Sequence, residues 1–326
     1  MIISKTPLRM SFAGGGSDLR EYYQHGYGAV TSTTINKYMY VMINERFTDH
    51  IRVGYSQIEY VESVDAIKHD LVREAMKSVG VTKKVEISFM TDVLPSQEGS
   101  GLGASSSILV GILNVLHTFK GESVSAEQLA KEACDIEIKT LGNPIGKQDQ
   151  YAAAYGGLNW IQFNADETVL VKPVECKADV KAELNRNLLL FYTGMISRTA
   201  DVLPEQKKKT GKNLETLDKM VVLAADLQKA LRNNDLTEFG SILHQGWVYK
   251  QKLASNISNP TINTYYEIAR KSGALGGKIL GSGGGGFLLL YCPENSQDEV
   301  RKTLSGLQEV RFDFDNQGSE IVYNDQ

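Results

Sequence analysis

Residues 95–107 read PSQEGSGLGASSS and run directly into the apolar stretch SILVGILNVLHTF (107–119). Glycine tolerates positive φ and lets a ligand approach the main chain closely. A glycine loop that ends in hydroxyls at a helix start is an anion cradle. Unpaired N–H groups point outward there, and the helix dipole favours negative charge. Ser105 and Ser106 add hydroxyls for a phosphate or a phosphate-bound Mg²⁺. The competing interpretation is a glycine-rich loop with serine caps. The Walker pattern, GxxxxGK followed by Ser or Thr, is absent, as are the HRDxxxxN and DFG strings of protein kinases. Gly99, Gly101 and Ala104 satisfy a loose GxGxxA, but residues 94–98 separate them from the preceding strand. A dinucleotide fingerprint turns straight from strand to helix.

Two further glycine clusters flank this one in sequence: Gly14-Gly15-Gly16 and residues 281–286, GSGGGG, which lead into a strand. The second is compatible with a loop lying flat against phosphates or substrate, and equally with a hinge or tight hairpin. Around these loops the chain is ordinary. It has 326 residues, 42% hydrophobic and 23% charged, so it can bury a sizeable core in one large or two packed domains. Lysine plus arginine number 35 against 39 acidic residues, a formal net charge of −4. Bulk nucleic-acid binding is disfavoured, and an anionic ligand needs a local site. Three scattered cysteines without CxxC spacing argue against a disulfide framework or zinc site and fit a reducing cytosol. No apolar run approaches the length of a membrane span, and the first residues do not read as a signal peptide.

The patterning predicts mixed α and β structure. Strands are expected at Tyr38–Ile43, Ile51–Tyr55, Val85–Met90, Leu188–Tyr192 and Gly286–Cys292. Helices are expected over Asp65–Val79, Ser107–Phe119, Ser125–Leu141, Leu214–Leu231, Leu236–Ala254 and from Pro260 to Gly273. Ser125 and Gln128 form a capping-box pattern, with Leu129, Ala133, Ile136 and Thr140 on the buried stripe. Glu137 sits at the stripe's edge, at the rim or paired to a cation. Residues 175–186 are weakly patterned and place a domain boundary there, giving 1–183 and 184–326.

Together the three clusters resemble the motifs of the GHMP kinases, a family of small-molecule kinases. TPLR through Gly14 is similar to the first motif, Pro95 to Ser105 to the second with one extra loop residue, and Lys278 to Gly286 to the third. The likeness runs from about residue 5 to 290. It implies an α+β, two-domain GHMP kinase fold: an N-terminal α+β domain, a C-terminal ferredoxin-like domain and an active site between them. PLRMSFAGGGSDL, GSGLGASSS and GKQDQYAAAYGGL resemble the branch that phosphorylates sugars at C1. That implies a heptose 7-phosphate as acceptor, with fucose, mannose or galactose types as alternatives. A non-catalytic sugar or nucleotide sensor is the other alternative. The chain departs from the galactokinase pattern at Gly15-Gly16, where that pattern has Glu-His.

The resemblance also assigns roles. Asp149 corresponds to the catalytic aspartate and Arg9 to the basic residue of the first motif. ATP is implied on Glu98, Gly99, Ser100, Gly101, Gly103, Ala104, Ser105 and Ser106, and Mg²⁺ on Ser105 and Glu137. Ala104 stands where many members have the first motif serine. Asp18 corresponds to a sugar-binding aspartate, or caps a helix starting near Leu19. Gly283 and Gly284 are implied at the substrate. Ser197 and Arg198 are expected near a second phosphate on the sugar, where a cation is needed. The partner is a small sugar or sugar phosphate. Neither nucleic acid nor membrane is expected, and the oligomeric state is open.

Overall fold

A computed structural model of the chain describes residues 1–92, 100–197 and 199–326. The strands are β1 (Ile2–Ala13), β2 (Tyr27–Glu45), β3 (Ile51–Gly54), β4 (Ile58–Val61), β5 (Val85–Thr91), β6 (Asn159–Asn164) and β7 (Val169–Pro173). They continue with β8 (Leu188–Tyr192), β9 (Gly276–Ile279), β10 (Phe287–Tyr291), β11 (Gln308–Glu309), β12 (Phe314–Asp315) and β13 (Glu320–Asn324). The helices are α1 (Arg20–Tyr23), α2 (Asp70–Val79), α3 (Ala104–Phe119), α4 (Ala126–Cys134), α5 (Gln148–Tyr155) and α6 (Ala178–Arg186). After them come α7 (Thr199–Lys209), α8 (Leu214–Arg232), α9 (Leu236–Lys250), α10 (Pro260–Lys271) and α11 (Gln297–Thr303).

Two sheets result. The larger runs β13-β1-β2-β5-β3-β4, and the 19-residue β2 also pairs with β12 and β6. The smaller is antiparallel, in the order β11-β8-β10-β9. Its chain order is strand, helices, strand, strand, helix, strand, which is the ferredoxin-like arrangement. The C-terminal residues leave it: β12 pairs with β2 and β13 with β1. Residue 183 lies within α6, where buried Val180 and Leu184 give the weakly patterned stretch a core-facing side.

Helix α3 is buried nearly all round because it is enclosed. It packs on β1 and β2 and against α2, α4 and α5. Leu109, Val110, Ile112, Leu113, Val115 and Leu116 are fully buried. Its N-terminus is fastened to the large sheet by the Ser107 hydroxyl, which donates to the Pro7 carbonyl (2.9 Å).

Some element ends differ from expectation. The helix expected over 65–79 is split: a 3₁₀ turn at Val64–Ala66 precedes α2, which His69 caps. The helix expected to reach Ala254 stops at Lys250. Ser125 caps α4 by accepting from Gln128 N (3.1 Å), but the Gln128 side chain donates to Glu132 instead of closing the box. Past Cys134 the coil widens to a π-helical turn, Asp135–Thr140, in which Leu141 N reaches back to Ile136 O. The widened turn shifts the phase, so Thr140 is exposed and not on the buried stripe.

Candidate active site

The second and third glycine clusters meet, and the strand that leads into the first, β1, bonds to the second. Arg9 N donates to Leu102 O (3.0 Å), joining β1 to the second loop. That loop meets the third without room for side chains: a Cβ on Gly281 would lie 2.4 Å from Gly101 Cα. Such a separation excludes any other residue at either position.

At this junction Arg9 is almost wholly buried, 3% exposed, and holds Asp149 in a two-point clamp. Nε donates to Oδ1 and Nη2 to Oδ2, both at 2.7 Å. The third guanidinium nitrogen, Nη1, donates to Gly101 O (2.6 Å). The fork geometry of arginine makes this planar arrangement possible, and lysine could not reproduce it. Asp149 remains 25% exposed at its open side.

Asp18 is buried beside this pair. Its Oδ1 accepts from Gly16 N (2.9 Å) and its Oδ2 from Gln148 N (3.4 Å). Burial, reinforced by the charge of Asp149, raises its pKa, and those backbone hydrogen bonds oppose the rise. It does not cap α1, whose N-cap is Leu19 with no side-chain bond. Of the three consecutive glycines, Gly14 and Gly16 have positive φ but Gly15 does not. A Cβ at Gly15 would meet only Ser11 Oγ and Gln148 Nε2, at 3.8 and 3.9 Å. Ser11 Oγ is buried and has no hydrogen-bond partner among the described residues.

Glu137 is 1% exposed, not at a rim. The π-helical turn carries it against the start of α3. There Ser105 Oγ donates to Oε1 (2.9 Å) and Ser106 Oγ to Oε2 (2.7 Å), and Gln150 Nε2 donates to Oε2 as well. Burial pushes the Glu137 carboxyl above its ordinary value, against those three hydrogen bonds. A buried carboxylate beside serine hydroxyls, held among the described residues by neutral donors, fits a hard cation that takes oxygen ligands. No group of three or more His, Cys, Asp and Glu among the described residues is placed to hold a metal unaided.

The remaining expected residues divide. Ser100 is buried, its Oγ accepting from Leu102 N (3.2 Å). Gly101, Gly103 and Ala104 lead into α3. Gly283 and Gly284 lie against Ile257 and Asn256. The Ser197 hydroxyl is committed to Gly283 O (2.6 Å) and Ser282 Oγ (3.0 Å), so it braces the third loop. Glu98, Gly99 and Arg198 lie outside the described residues. Ser11, Gln148 and Gln150 join the site without having stood out in the sequence; neutral polar residues carry no periodicity to reveal them. Lys250 and Lys278 were equally silent as individual side chains. Both are buried beneath the junction.

A fixed guanidinium, a clamped carboxylate and a glycine loop at a helix start are groups that can serve phosphoryl transfer. The chain belongs to the GHMP kinases: residues 63–157 match the GHMP kinases N terminal domain and residues 227–307 the GHMP kinases C terminal. It is an ATP-dependent sugar kinase by that membership and by its relatives. It is 31% identical over 96% of both chains to a D-glycero-alpha-D-manno-heptose 7-phosphate kinase of Campylobacter jejuni. It is 27% identical to a galactokinase of Pyrococcus furiosus, over 87% of each. A solved structure of a D-glycero-D-manno-heptose 1-phosphate kinase from Bacteroides thetaiotaomicron superposes with a TM-score of 0.81. That pair is 28% identical and covers 99% of this chain and all of the other. Among the described residues no helix is long and apolar enough to cross a membrane.

Proposed function

We propose that this kinase transfers the γ-phosphoryl group of ATP to the anomeric C1 hydroxyl of D-glycero-D-manno-heptose 7-phosphate, giving the 1,7-bisphosphate. The observation that carries the reading is the Arg9–Asp149 clamp where the second and third glycine loops meet, with Asp18 beside it. The heptose acceptor is supported by the two heptose phosphate kinases among the relatives, whose names differ in the position of the phosphate.

In this reading the donor lies along the second loop, Ser100 to Ser106, with its phosphates toward the N-terminus of α3. The 16-residue helix supplies unpaired N–H groups and a favourable dipole there. Glu137 and Ser105 would hold Mg²⁺, which when bound neutralises charge on the β- and γ-phosphates. Each Asp149 oxygen spends one acceptor direction on Arg9 and keeps another for the sugar hydroxyl. Asp149 thus orients the hydroxyl in line with the phosphorus and receives its proton late in transfer. Arg9, fixed on both sides, stabilises the charge that develops. Asp18 accepts hydrogen bonds from the sugar, and the space over Gly15 receives part of it beside Ser11.

ADP release with Mg-ATP tests the reading against heptose 7-phosphate, mannose, fucose, galactose and no acceptor. Turnover with the heptose phosphate that disappears in Asp149→Asn is the expected result. Turnover with a free sugar alone would discard the acceptor assignment and leave the kinase.

A further inference from the structure

Two lysines lie under the active-site junction with no role in the chemistry above. Lys250 ends α9 and is 6% exposed; its Nζ donates to Ile279 O (2.9 Å) and Gly281 O (2.5 Å). Lys278 on β9 is 5% exposed, and its Nζ donates to Phe12 O (3.3 Å). A buried ammonium is costly, and apolar side chains of similar volume would serve packing better. Burial lowers the pKa of both, the nearness of Arg9 adds to this for each, and Lys278 adds to it for Lys250. What the lysines hold gives the reason to keep them. Gly281 is the residue pressed on Gly101, and Gly101 O is the acceptor for Arg9 Nη1. Phe12 lies on β1, the strand of Arg9.

We propose that Lys250 is a positioning residue for phosphoryl transfer: it fixes the third glycine loop against Gly101, whose carbonyl sets the Arg9 guanidinium on Asp149. Lys278 ties the root of the same loop to the Arg9 strand. The contacts form one line, from the Lys250 ammonium through the Gly281 and Gly101 backbones to Arg9 and Asp149. This rests on the assignment of Arg9 and Asp149 as the reacting pair. An apolar residue at 250 would leave the carbonyls of Ile279, at the end of β9, and Gly281, in the loop, without this donor and let Gly101 drift from Arg9.

The experiment compares Lys250→Met, Lys250→Gln, Arg9→Lys and Lys250→Met with Arg9→Lys combined, each assayed with the acceptor that the panel identifies. Assays run well below each variant's unfolding temperature. Lys250→Met is expected to lower kcat at least about tenfold with the acceptor KM within about twofold. Lys250→Gln keeps a neutral NH2 donor on a shorter side chain and is expected to fall between it and the wild type, which also serves if the Met variant folds poorly. Because Lys250 acts through Arg9, the double variant should lose little more than Arg9→Lys alone. Independent, multiplicative losses would overturn the proposal, and so would a lowered unfolding temperature with unchanged kcat. If Arg9→Lys and Asp149→Asn themselves leave kcat intact, the underlying assignment of the reacting pair fails instead.

Discussion

Asp149 and Glu137 are both carboxylates of the site, yet their surroundings give them opposite sensitivities. Asp149 is clamped by a guanidinium and partly exposed, so its charge is compensated and its carboxylate keeps lone pairs for another donor. Replacing it with Asn keeps the shape and removes the proton acceptor; kcat is expected to fall by about a thousandfold, read by ADP release. Glu137 is an anion buried among neutral donors. Glu137→Gln is expected to abolish most activity while leaving the unfolding midpoint unchanged or raised, because it removes an uncompensated buried charge. Lys278 gives a pH test. Burial brings its pKa from the ordinary 10.5 down to about 7. Between those values the unfolded chain holds the proton and the folded one does not, so this group makes stability rise with pH from about 7 toward 10. In Lys278→Met that contribution should vanish, seen as a flatter pH dependence of the denaturant midpoint. Gly15 makes a specificity test. Its backbone accepts any residue, so Gly15→Val should fold normally, yet raise the acceptor KM about tenfold or more by filling the space beside Ser11. An unchanged acceptor KM would remove the sugar from that position.

At the scale of elements, α3 links stability to chemistry. Its N-terminus faces the proposed donor site, while its body is buried on every side. Leu113→Ala in the middle of the helix should cost about 3 kcal/mol in denaturant unfolding. Ser125→Ala, which removes the side-chain cap of α4, should cost about 1 kcal/mol. It should leave kcat untouched, separating helix stability from catalysis. The end of that helix is where periodicity misleads. The 129–137 stripe continues smoothly in sequence, but the π-helical turn rephases it, exposing Thr140 while Glu137 stays inside. Ser105, Ser106 and Gln150, from two other helices, supply donors to the carboxylate that this turn carries inside. Nothing within residues 125–141 encodes those partners.

For the whole molecule, the C-terminal strand binds the two ends of the chain together. β13 pairs with β1, the strand that carries Arg9, and the Ser319 hydroxyl meets Thr6 Oγ1 (2.8 Å) while accepting from Asn114 Nδ2 (3.0 Å) on α3. Removing residues 313–326 is expected to uncover the β1 edge, lower the unfolding midpoint and promote association, measured by denaturant titration and light scattering. The loop that leads into α3 and the loop between β9 and β10 of the ferredoxin-like sheet meet at the Gly101–Gly281 contact, so the Arg9–Asp149 junction draws on both halves of the chain.

The sequence by itself determined the family, the mixed α and β class, the strand and helix cores, and the three glycine loops. These follow from local conformational demands and from hydrophobic periodicity, which are written into consecutive residues. It also marked Arg9, Asp149, Ser105 and Glu137, through motif positions. Only the tertiary structure decided that Asp18 turns to Gly16 and Gln148 instead of capping a helix, that Glu137 is buried, and that Lys250 and Lys278 lie beneath the loops. It likewise decided that the last strand returns to the first. Each of these depends on a partner on another element, 29 residues away or more, or on a change of helical phase. Hydrogen bonds between distant polar groups leave no periodic trace in a chain; only the packing that brings their ends together reveals them.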